Sequence, residues 1–103
     1  MEIRRSVFKN NFYGLVSYLA KAQVIENLIT DNEIGVFVRA ERKSGLTISD
    51  NNIFNNSRYN LRMGDFNRGE DVDARRNWWG DTDPLHSIYD ERNEPGIGFV
   101  NYM

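Results

Sequence analysis

VIENLITDNEIGVFV, residues 24–38, carries two spacings at once. Apolar side chains stand at Val24, Ile29, Val36 and Val38, while Asn27 and Asn32 fall between them and Gly35 follows shortly after. Alternation of period two in runs this short argues strands, and no run holds helical apolar spacing long enough to favour a helix. The same frame occurs upstream in IRRSVFKNNFYGLVS (3–17) and downstream in ISDNNIFNNSRYNLRM (48–63), and VDARRNWWG (72–80) keeps its first half. Self-similarity at this period is the signature of a solenoid.

The register can be followed residue by residue. Ile3, Val24, Ile48 and Ala74 correspond, as do Ser6, Asn27, Asn51 and Asn77, and then Phe8, Ile29, Ile53 and Trp79. Successive steps are 21, 24 and 26 residues, so inward positions stay in line while loops absorb the difference. Asn11, Asn32 and Asn56 form a second polar column, Leu15, Val36 and Leu61 a second apolar one, and Ser17, Val38 and Met63 a third. Gly14 and Gly35 correspond to Asn60, which suggests a left-handed turn that asparagine can also adopt.

The expected fold is all-β: a right-handed parallel β-helix of three to four coils with a C-terminal cap. Leucine-rich repeats are the competitor, since Leu46 to Ile53 fits their pattern, but they need an apolar convex segment where this chain has a second asparagine and a second strand. Equivalent residues in such a coil stack about 4.8 Å apart. Asn27, Asn51, Asn77, Asn32 and Asn56 are then structural, bonding to each other and to turn backbone that would otherwise be unsatisfied.

Composition agrees with this and excludes several alternatives. The 103 residues suit one domain, divided into coils over 1–76 and a capping segment over 77–103. A net charge of −2 with mixed signs offers no basic field for nucleic acid. There is no cysteine, no apolar export signal, and no run near the ~20 apolar residues of a spanning helix, so membrane insertion is not expected.

The N-x-[IF]-x-x-N frame resembles the coils of right-handed parallel β-helix proteins of the pectate-lyase-like kind. The resemblance extends to Val72 through Pro84, with its NWWG, and to the tail with Gly98, Val100 and Tyr102. It implies a secreted or cell-surface protein that meets polysaccharide or another protein, as a structural or recognition domain. It also keeps open a fragment of a polysaccharide lyase or hydrolase, or a purely structural stacking module.

The Trp pair follows from the solenoid's need for covered ends. Alternation from Ala74 points Trp79 inward as the successor to Ile53, and Trp78 outward beneath a tail with Leu85, Ile88, Tyr89, Phe99, Val100 and Tyr102. No comparable cap precedes the first coil, which leads us to expect a fragment, or a homo-oligomer joined near Val7, Phe8, Phe12 and Tyr13.

Candidate site residues are few. Tyr59, Phe54 and Trp78 could stack on sugar faces. Asp31, Asp50 and Asp73, with Arg58, are the groups that acid and base work on successive coils would use. Asp65, Asn67 and Asp71 sit in an acidic turn faintly like a calcium loop, but its glycine falls at the fifth position and no glutamate closes it. We expect no metal and no cofactor. His86, without a nucleophile or ligand partner, reads as a surface residue of the tail.

Overall fold

A computed structural model describes residues 1–18, 21–39, 45–64, 70–81 and 83–103. The first three coils each supply three strands: β1 (Glu2–Arg4), β2 (Val7–Lys9) and β3 (Tyr13–Tyr18), then β4 (Gln23–Ile25), β5 (Leu28–Thr30) and β6 (Ile34–Arg39), then β7 (Thr47–Ser49), β8 (Asn52–Phe54) and β9 (Tyr59–Met63). β10 (Val72–Asp73) opens the fourth, and the tail adds a 3-10 turn (Pro84–Ser87), β11 (Ile88–Tyr89) and β12 (Val100–Asn101). They assemble into three sheets, ordered β1-β4-β7-β10-β12, β11-β9-β6-β3 and β2-β5-β8. Every pairing is parallel, giving a parallel β-solenoid of about four turns.

The register is the one read from the repeat. Ile3 pairs with Val24 and Val24 with Ile48, Phe8 with Ile29 and Ile29 with Ile53, and Leu15 with Val36 and Val36 with Leu61. The lower members of these columns are fully buried and form one continuous core with Met63, Ala74, Trp79, Ile88 and Val100. Each buried aliphatic side chain contributes about 1.5–3 kcal/mol.

The asparagine columns are hydrogen-bonded ladders. The Asn51 carboxamide oxygen accepts from the backbone N–H of Asn27 (2.9 Å) and from its side-chain amide (3.1 Å), while the Asn51 amide donates to the carbonyl of Val24 and to Asn77. Asn56 repeats the arrangement for Asn32, donating to the carbonyl of Ile29. Thus each rung feeds its own coil and both neighbours.

One expectation about turns is corrected. Gly14, Gly35 and Asn60 are not left-handed; that conformation falls instead on Arg5, Glu26, Asp50 and Arg76, and on Asn10, Asp31 and Asn55, each one residue before a ladder position. A left-handed non-glycine residue costs about 1–2 kcal/mol. Here the bend backbones are also tied coil to coil, Arg5 N–H to the carbonyl of Glu26, Glu26 to Asp50 and Asp50 to Arg76. The glycines are needed for space. A Cβ on Gly35 would lie 2.7 Å from the Asn56 side-chain nitrogen and 2.6 Å from the carbonyl of Asn60, and Gly14 meets Asn32 likewise. In the third coil no further ladder asparagine follows, and Asn60 turns its own carboxamide into that place. It accepts from Asn56 and donates to Ser87 of the tail, ending the ladder.

The tail closes the last coil. Trp79 is buried and fills the core's end, but its indole N–H finds no acceptor among the described residues. Contrary to expectation, Trp78 is not covered: 48% of it remains exposed, and Leu85 and Phe99 are also exposed. What seals the end is polar as well as apolar. Buried Asp90 accepts from the N–H of Val100 (2.8 Å), from the N–H of Arg92 and from the Arg92 guanidinium. Glu91 accepts from the N–H groups of Gly96 and Gly98, which holds its carboxyl below the usual glutamate range. Gly98 is left-handed, and a Cβ there would fall 2.0 Å from the Glu70 carbonyl oxygen.

These contacts make three predictions. Asn51→Ala, which orphans two buried donors of Asn27, should lower unfolding free energy in urea titrations by about 3 kcal/mol or more, whereas exposed Asn52→Ala should change it by less than about 0.5 kcal/mol. Trp79→Ala should cost about 3–5 kcal/mol by the same measurement, and Trp79→Phe clearly less, since no indole hydrogen bond is lost. Because the Glu91 carboxyl is depressed in the folded state, its contribution is present above the ordinary value of 4.5 and lost as pH falls through the folded value. The Tm difference between the native chain and Glu91→Gln should therefore be widest above pH 4.5 and close on acidification.

Candidate functional site

Parallel stacking turns outward residues into columns as surely as inward ones. On the five-stranded sheet, Glu2, Gln23, Thr47 and Asp73 form one outward column, since Gln23 pairs with both Glu2 and Thr47 and Thr47 with Asp73. Arg4, Ile25 and Ser49 form the next, with Arg75 following in register. Their lower members line a groove of about 580 Å3, bounded by Gln23, Thr47, Ser49, Asp50, Asp73, Arg75 and Arg76, with Ile25 and Met103 as its apolar part.

Two ion pairs organise the charge in this groove. Arg75 meets both oxygens of Asp73 at 2.9 Å, and its N–H also reaches one of them. This bidentate hydrogen bonding holds the Asp73 carboxyl below the usual aspartate range, against a smaller opposing effect of burial. Asp73 therefore stays ionised at neutral pH and serves as an acceptor rather than a proton donor. Arg76 lies 3.8 Å from Asp50, both at left-handed bends and both well exposed. Exposed pairs contribute little to stability, so these groups remain available for ligand hydroxyls or carboxylates.

The structure divides the residues singled out from sequence. Asp50 and Asp73 open onto one groove. Asp31 is at the other bend column, between β5 and β6, and Arg58 pairs with Glu33 at 3.4 Å, so neither joins them. The aromatic candidates lie on other sheets. Trp78 packs on Phe54 with ring centroids 5.0 Å apart, beyond the edge of the three-stranded sheet, and Tyr59 packs edge-on against Tyr89 at 5.4 Å. Asp65 and Asn67 are outside the described residues. Asp71 accepts from the N–H of Phe99 and so anchors the tail, and no group of three metal-ligating side chains occurs among the described residues.

Gln23, Thr47, Ser49, Arg75 and Arg76 were not singled out from sequence, although a signal for them exists. Each neighbours an inward or ladder residue whose register the repeat already fixes, so parity alone assigns their face. Asp90 carried no comparable signal, because it lies in the tail, where the repeat has ended. No family model, no curated protein and no solved structure matches the chain.

Proposed function

We propose that this β-solenoid is a non-enzymatic recognition domain that binds a polysaccharide along the groove of its five-stranded sheet. One observation carries the reading: stacked coils present Gln23, Thr47, Ser49, Asp73 and Arg75 as polar columns on a rigid floor, with Arg76 and Asp50 at its rim. Such side chains suit a hydroxyl-rich chain. They offer donors and acceptors in fixed directions, and the asparagine ladders beneath lower the entropy lost on binding. A secreted or cell-surface setting goes with this reading, supported by the resemblance of the repeats and the NWWG segment to pectate-lyase-like β-helices.

A second reading, part of a polysaccharide lyase or hydrolase, is favoured by Asp50 and Asp73 sharing the groove. Against it, Asp73 is committed to Arg75 and kept ionised, which leaves it unsuited to donate a proton.

A glycan array followed by titration calorimetry with the best ligand tests the proposal. Gln23→Ala and Arg76→Ala should each weaken binding about tenfold, the loss of one or two polar contacts, while Asp31→Asn and Trp78→Ala leave it unchanged. Binding lost with Trp78→Ala alone, or no binding on the array, would overturn the groove assignment. Unsaturated products absorbing at 235 nm, abolished by Asp50→Ala, would establish the enzymatic alternative.

A further inference from the structure

The first and last coils of the 103 residues present different edges. At the C-terminal end, the buried carboxylate of Asp90 takes the N–H of Val100 in the edge strand β12, so that edge cannot readily accept another strand. At the opposite end β1, β2 and β3 are all edge strands of their sheets. Half-buried Ile3, Phe8 and Leu15 lie there at the rim of the core. Of the most exposed large apolar side chains among the described residues, Val7, Phe12, Tyr13, Val16 and Tyr18 all belong to this one coil.

The edge of β1 also has a specific pattern. The Met1 carbonyl accepts from Gln23 and the Arg5 N–H donates to Glu26, so residues 1, 3 and 5 bond inward to β4. By strand alternation, the N–H and C=O of Glu2 and Arg4 point off the sheet; the Arg4 carbonyl accepts there from the Ser6 hydroxyl of its own coil at 3.1 Å and keeps a second lone pair for a partner strand. A second copy related by a two-fold axis through Ile3 would place Glu2 opposite Arg4 of its partner, and Arg4 opposite Glu2. In an antiparallel ladder those two residues exchange both backbone hydrogen bonds, and their side chains meet as opposite charges. The sequence of β1 is thus self-complementary in hydrogen bonding and in charge. The Glu2–Arg4 contact already present at 3.1 Å within one chain would become part of a four-charge network.

We propose that the 103-residue chain forms a closed two-fold dimer in which β1 pairs antiparallel with β1 of a second copy, the exposed apolar residues of the first coil flanking that seam. The two β1 strands then join their five-stranded sheets into one continuous sheet, and the polar grooves extend from the two sides of the junction. This inference does not depend on the glycan reading. A dimer that binds no sugar, or a sugar-binding monomer, would separate the two.

Sedimentation velocity over a concentration series tests it, with circular dichroism confirming that each variant keeps its β spectrum. The native chain should reach a dimer and stop there. Arg4→Glu and Glu2→Arg each set like charges opposite one another twice per dimer and should raise the dissociation constant by on the order of tenfold. The double variant Glu2→Arg/Arg4→Glu restores opposite charges across the seam and should recover the native value. A monomer at every concentration, oligomers that keep growing, or a double variant no better than the singles would overturn the proposal.

Discussion

The hydrogen bond from one ladder asparagine to the next is what the rest of the molecule depends on. A solenoid must bend its chain at every corner, and each bend leaves backbone groups that no strand can satisfy. Here the ladder carboxamides accept from the backbone N–H of the coil before and donate to that coil's inward carbonyls. The bends are thereby fixed at one height per coil, and that fixes the strand register. Only in register do Val24 and Ile48, or Ile29 and Ile53, meet as vertical neighbours and bury their apolar surface. The polar ladder costs little because it is nearly fully satisfied, and it excludes the slips that short strands would otherwise permit.

The same constraint explains where the glycines are. Gly14 and Gly35 keep space for the next coil's carboxamide, and Asn60 occupies that space once the supply of ladder asparagines ends. The left-handed bends were not legible in the sequence, because the residues there include Arg5, Glu26 and Arg76, types with no preference for that conformation. Context forces it. Asp31, Asp50, Asn10 and Asn55 did carry a local signal, but Gly35 drew attention to the wrong corner.

The columns themselves were legible down to the residue, since a two-dozen-residue repeat with asparagines in fixed places admits few other structures. Legibility stops where repetition stops. The inward place of Trp79 follows from its register with Ile53, whereas the exposure of Trp78 depends on where a non-repeating tail runs, and parity says nothing about that. Asp90 and Glu91, which hold that tail by binding backbone N–H groups, look in sequence like ordinary surface charges. The groove is an intermediate case. Its floor follows from the register, but the pairing of Asp73 with Arg75 is local and became visible only in three dimensions.

Function, on this account, is carried by outward columns on a floor that the inward ladders make rigid. The most direct test of that floor is the exchange of the side-chain amide protons of Asn27, Asn51, Asn32 and Asn56, observed by NMR. Interlocked rungs predict slow exchange for these four and through-space contacts from Asn27 to Asn51 and from Asn32 to Asn56. Exchange as fast as that of exposed Asn52, with no such contacts, would contradict the account.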